Sequence, residues 1–124
     1  MRVSTNGGSS YDASAGNYRW SYGGAVNATS LEAGSTSDTS IIISQNVGNG
    51  AAEGVSTIIE LLDQTNTAVQ QKVLGHTSTY HNDDACSAAV LGARRTTAQD
   101  TDAVRFLFSS GNITSGKYAV YGLS

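Results

Sequence analysis

Apolar and polar residues alternate one by one through much of this chain, the period of a β-strand with one face turned inward. Eight segments carry the pattern: residues 1–5, 18–27, 39–45, 54–63, 68–80, 86–97, 102–110 and 116–123. Clusters of Gly, Ser, Asn and Thr, residues that turn a chain, stand between them. Such spacing is the mark of an all-β sandwich or barrel. The fold expected here is an antiparallel β-sandwich of the jelly-roll kind, with about eight strands in two sheets. The run GVSTIIELL at 54–62 also admits a helix, but β-branched Val55, Thr57, Ile58 and Ile59 favour a strand. Asp63 to Asn66 then turns into the next strand. Two polar stretches read as loops: 6–17, with one short helical turn at Asp12–Ala15, and 27–39, where Leu31 is the lone apolar anchor.

The last strands are the clearest. Val104, Phe106 and Phe108 alternate with Arg105, Leu107 and Ser109. Ser110-Gly111-Asn112 forms a turn, and a second alternating run follows from Lys117 to Leu123. The expectation is a C-terminal hairpin central to one sheet. Alternation assigns the core to Val3, Trp20, Tyr22, Ile41, Ile43, Ile59, Leu61, Val73, Val90, Val104, Phe106, Phe108, Tyr118 and Val120. In the 54–62 strand Ile58 and Leu62 compete with Ile59 and Leu61, and a slip of one residue would exchange the faces.

Composition sharpens this picture. With 124 residues the chain is the size of one domain. Charged residues make up only 14%, well below the usual quarter, and there are 14 glycines and no proline. The polarity comes from Ser and Thr. The net charge is −3, with Arg94-Arg95 the only adjacent basic pair and no basic stripe, which argues against nucleic-acid binding. No apolar run approaches a membrane span, and MRVSTNGGSS has no apolar core of a signal peptide. The single cysteine, Cys86 in CSAAVL, forms no intrachain disulfide and reads as a small buried hydrophobe.

Three segments carry a family resemblance. The ending FLFSSGNITSGKYAVYGL, the opening RVSTNGGSSYDASAGNYRW and the middle GNGAAEG followed by VSTIIELLD resemble β-sandwich domains of bacteriophage virion appendages, tail fibres and head fibres among them. The opening is similar to the "RVSTDGGSTFDSGASDYRW" type seen in that group. The likeness covers most of the chain but lies in turns and strands, so it informs fold and context more than chemistry. In that group the RVST segment follows one or two earlier strands of the same domain. Met1 therefore either opens a shortened domain over 1–124 or is internal to a longer one lacking those strands here. A sheet edge left open in this way is a pairing site for a neighbouring chain.

Candidate chemistry is sparse. His76, His81, Asp83 and Asp84 cluster in HTSTYHNDD, but strand positions five apart point to opposite faces, which spoils a metal site. Asn82-Asp83-Asp84 lacks the spacing of a calcium loop. Glu53, Glu60 and Asp63 lie close in sequence, but a glycosidase needs two carboxylates facing each other across a cleft, whereas Glu60 and Asp63 would face opposite sides of a strand and Asp63 suits a turn. Asp100 and Asp102 read as turn formers. No nucleophile elbow or phosphate loop is present. Asn27-Ala28-Thr29 and Asn112-Ile113-Thr114 match glycosylation sequons and read as polar turns. Tyr11, Tyr18 and Tyr80 are the candidate surface-contact residues, since rings with polar tips favour interfaces.

The expected function, implied by the resemblance, is a non-enzymatic phage virion structural protein, a fibre or capsid-decoration module assembled in the bacterial host cytoplasm. Its partners would be other virion proteins and further copies of itself, with a homotrimer first. The alternatives are a tail-fibre tip that binds a host-surface glycan or receptor, and a glycan hydrolase fragment. No catalytic residue, cofactor or metal ligand is assigned.

Overall fold

The computed structural model describes residues 1–122 and contains seven strands: β1 (Arg2–Ser4), β2 (Tyr18–Val26), β3 (Thr29–Asp38), β4 (Gly54–Leu62), β5 (Lys72–Tyr80), β6 (Cys86–Arg95) and β7 (Ala103–Arg105). They form two antiparallel sheets, five strands in the order β3-β2-β6-β5-β4 and the pair β1-β7. The protein is therefore all-β, but the two sheets are very unequal.

β5 and β6 show why the large sheet forms. In KVLGHTSTY the even pattern puts Val73, Gly75, Thr77 and Thr79 inward, and in CSAAVLGARR it puts Ser87, Ala89, Leu91 and Arg95 inward. Tyr18 and Tyr22 from β2 complete that face. Met1, Val3 and Ile41 cover it, and Trp20, Leu31, Ile43, Ile59, Ala93 and Val104 pack around its rim. Small and hydroxyl side chains on β5 and β6, among them Gly75, Thr77, Thr79, Ser87 and Ala89, leave room between the large ones, and segments outside the sheet fill part of it.

β3 overturns the expectation of a loop at 27–39. Asn27 and Ala28 both have positive φ, 43° and 69°, between the paired Val26 and Thr29. That is a two-residue turn of the primed kind, whose twist matches a hairpin. Asn27 reinforces it by donating its N–H to the Cys86 carbonyl and accepting the Cys86 N–H on Oδ1. The polar sequence of β3 is tolerated because an edge strand needs only one neighbour and one covered face, here supplied by Leu31 and Ala33.

The run 39–45 is not a strand. Ile41 is buried and Ile43 packs on the core, but residue 41 pairs only with Met1, each donating its nitrogen to the other's carbonyl oxygen. The β-branched run signalled burial, not pairing. Asp12–Ala15 is not helical; the turn lies at residues 14–17, where the Asn17 N–H donates to the Ser14 carbonyl. Cys86 is exposed, a correction to its expected burial: it begins β6 on the outer face.

The C-terminal hairpin is absent. β7 stops at Arg105, and residues 106–122 form no strand; residue 123 of the expected last strand lies outside the described residues. Phe106, Phe108, Tyr118 and Val120, expected in the core, are exposed, the last two at 94% and 86%. Val90 and Leu61 are exposed too, while Met1, Tyr18, Ala89 and Leu91 take core places that alternation did not assign.

Gly24 shows how close β2 and β6 run. A Cβ there would overlap the Ala88 carbonyl oxygen and lie 2.6 Å from the Ala89 Cα, both backbone atoms that cannot swing away. Gly24→Ala is therefore expected to destabilise the domain by about 1–3 kcal/mol. Gly23→Ala, where an added Cβ meets nothing within 4 Å, is the control. Parallel urea titrations of both variants check this.

Candidate functional site

The sequence candidates scatter. Tyr18 is fully buried, so it is not a surface-contact residue. Its hydroxyl accepts the Val3 N–H at 2.9 Å and donates to the Asp12 carbonyl at 3.1 Å, tying β1 and the first loop to the sheet. Burial pushes its phenol pKa up. Tyr11 is half-buried, with the Arg105 guanidinium 5.8 Å from its ring centre. Tyr80 is half-buried, and its hydroxyl donates to Asp84, a hydrogen bond that raises the phenol pKa.

His76 and His81 lie on opposite sides of the sheet region, as the strand period requires. His76 is exposed on the outer face of β5, whereas His81 is buried. Among the described residues, no group of three His, Cys, Asp or Glu is placed to hold a metal ion. Asp63 is held by Lys72 at 2.7 Å, and Glu53 accepts the Gly50 N–H, so each carboxylate closes its own turn.

One arrangement escaped the sequence. His81 Nε2 lies 2.8 Å from Ser87 Oγ, and His81 Nδ1 lies 3.8 Å from Asp83 Oδ1. The order resembles a serine–histidine–carboxylate relay, but Ser87 and His81 are both buried. A nucleophile must meet its substrate within hydrogen-bond reach, which this burial prevents. The Ser44–Thr79 hydroxyl pair lies near the same inner face, and burial, opposed by Ser87 and Ser44, raises the pKa of Tyr22. The group is a polar knot inside the sandwich.

Asp38 anchors the far end of the β2–β3 hairpin. It accepts the Trp20 Nε1–H at 2.9 Å and the Thr39 N–H at 2.6 Å. Burial works to raise its pKa, but hydrogen bonds from Trp20, Thr39 and Ser40 outweigh it and hold the carboxyl below 3.8. A depressed folded value means stability that is present above the unfolded value and lost as pH falls through the folded one. The stability gap between wild type and Asp38→Asn should hold steady well above pH 3.8 and shrink below it. Thermal melts across pH 2–6 check this.

Two exposed surfaces remain. The first is the outer face of the large sheet, which no segment covers among the described residues. Register places Ile58, His76, Val90, Gly23 and Glu32 in one row across five strands. The flanking rows are small, with Ser56, Ser78, Ala88 and Ala25 on one side and Gly92, Ser21 and Gly34 on the other, beside an exposed Leu74. At one end the register also brings Arg19, Arg94 and Lys72 side by side, a basic row that the sequence had dispersed. The depressions at β2–β3 and β4–β5 are open and shallow, unlike the enclosed pockets that take small ligands.

The second surface is the arm, residues 106–122. Among the described residues no hydrogen bond ties it to the rest of the chain. It carries Phe106, Phe108, Ile113, Tyr118, Val120 and Tyr121, all exposed. Among the described residues no helix is long and apolar enough to cross a membrane.

Fold and surfaces together define an all-β domain of two antiparallel sheets with one uncovered sheet face and a free apolar arm. Comparison with protein-family models, with curated proteins and with solved structures gives no match.

Proposed function

We propose that this domain is a non-enzymatic structural module of a bacteriophage particle, of the fibre or capsid-decoration kind, that works by association with other copies and with neighbouring virion proteins. The observation that carries the association is the arm: Tyr118, Val120 and Tyr121 are each at least 85% exposed. Monomeric soluble proteins rarely leave contiguous apolar surface of this kind uncovered. The phage setting rests on the resemblance of the opening, middle and ending segments. Quantitative mass spectrometry of purified particles is the test. A fixed copy number per particle is the expected result, with a capsid-lattice number meaning the head and a small symmetric number the tail. Absence from the particle would overturn the reading.

A glycan-binding tip is the second reading, and the part-exposed rings of Tyr11 and Tyr80 support it. Arg105 over the Tyr11 ring and the Asp84 bond to Tyr80 weigh against it, because each occupies a feature a sugar would use. Loss of host-cell adsorption in Tyr11→Ala or Tyr80→Ala with unchanged assembly would favour it.

A further inference from the structure

We propose that the C-terminal arm of one copy adds as an extra strand to the free edge of β4 in a second copy. The inference rests on the association reading above and names its geometry.

β4 is an outermost strand of the five-stranded sheet, bonded on one side only, to β5. Natural edge strands are blunted by Lys, Pro, bulges or short length, since an open edge invites pairing. β4 has nine residues, no Lys and no Pro, and its register with β5 runs unbroken from Gly54 to Leu62. The opposite edge, β3, is more protected, with a polar sequence and a register shift against β2 between Tyr18 and Trp20. β4 also exposes apolar groups on both faces: Ile58 outward, Val55 and Leu61 toward the core side. The core is thus open along this edge.

The arm has the matching properties. Tyr118 and Val120 fall on one side of an extended chain, Ala119 and Tyr121 on the other. A strand apolar on both sides is one that expects cover on both sides. Paired to β4, the side carrying Ala119 and Tyr121 would extend the open core, and the side carrying Tyr118 and Val120 would lie beside Ile58. Charge agrees: Lys117 is the only charged residue in 106–122, while the β4 region carries Glu53 and Glu60. Length agrees as well, because an extended arm from residue 106 to residue 122 reaches ~56 Å, enough to cross to a neighbour.

The test uses the full chain in a Cys86→Ser background. Sedimentation velocity across a concentration series should show wild type associating, and Tyr118→Asp with Val120→Asp, or Ile58→Lys alone, remaining monomeric with an unchanged circular-dichroism spectrum. Both sites are exposed in the single chain, so a folding defect is not expected. Mixing one chain carrying only Val120→Cys with another carrying only Ile58→Cys, then oxidising, should give the mixed disulfide dimer in preference to either homodimer. An oligomer untouched by the arm and edge substitutions overturns the docking and leaves the association reading standing. A wild type that stays monomeric at every concentration overturns both. Intramolecular disulfide alone, in a chain carrying both cysteines, shows the arm closing on its own β4 and overturns the exchange between copies.

Discussion

Leu91→Ala is expected to cost about 2–5 kcal/mol, while Val90→Ala, one residue away on the same strand, should stay within about 0.5 kcal/mol. Leu91 is 1% exposed and Val90 55%. Leu91 sits between Tyr22 on β2 and Gly75 on β5 in the sheet register. A Cβ on Gly75 would lie only 3.6 Å from Leu91 Cβ and Cδ2, so the leucine fills the space that glycine leaves empty. Truncating it opens a cavity whose neighbour has no side chain to relax into it, which favours the upper part of the range. Domains of this size are stable by about 5–15 kcal/mol, so the variant would lose a large share of its margin. Equilibrium urea unfolding of the two variants side by side checks it. Equal effects, or a larger one at Val90, would mean the faces of β6 are assigned the wrong way round.

Asp12→Ala should be nearly as damaging, at about 3 kcal/mol. Arg95 Nε and Nη2 both reach Asp12 Oδ2 at 2.6 Å, and the Arg95 side chain is only 7% exposed. Removing the carboxylate leaves a buried guanidinium with the Thr97 carbonyl at 3.3 Å and Gln99 Oε1 at 2.7 Å. The expected cost sits at the low end for such pairs because Asp12 is partly open to water. The pair clamps the first loop to the segment after β6, where Thr96 also bonds the Gly16 and Asn17 carbonyls. Replacing both partners, Asp12→Leu with Arg95→Met, should recover most of the loss, because no uncompensated charge then stays buried. A double-mutant cycle measured by chemical denaturation decides it. A double variant as unstable as Asp12→Ala would show that the loops, and not the charge, carry the effect.

Much of the fold was legible in the alternation. β2, β4, β5 and β6 lie within the segments the pattern marked, because each has one covered face and so repeats every two residues. β3 was hidden for two reasons: an edge strand needs few apolar residues, and its turn uses Asn27-Ala28 where glycine is the usual second residue. Asn27 was the one signal that pointed to it. The isoleucines at 41–43 misled in the opposite direction, since burial as cover and burial in a sheet select the same side chains. Leu91 and Val90 are both apolar, and only the register with Tyr22 and Gly75 says which faces in.

The candidate surfaces were less legible. A row such as Ile58, His76, Val90, Gly23 and Glu32 draws one residue from each of five strands, so no local window contains it. The same holds for Arg19, Arg94 and Lys72. His81 and Ser87 are only six residues apart, but their contact depends on the turn that joins β5 to β6.

The sequence by itself determined that this chain is built from short antiparallel strands joined by Gly, Ser and Asn turns, because side-chain period and turn chemistry are local properties. It also determined that the C-terminal residues have the alternation of a strand. Only the tertiary structure decided where strands pair, which face of β6 is core, and that residues 106–122 stay outside the single chain. Pairing depends on which edges and faces remain uncovered once the rest has folded, and that is a property of the whole molecule.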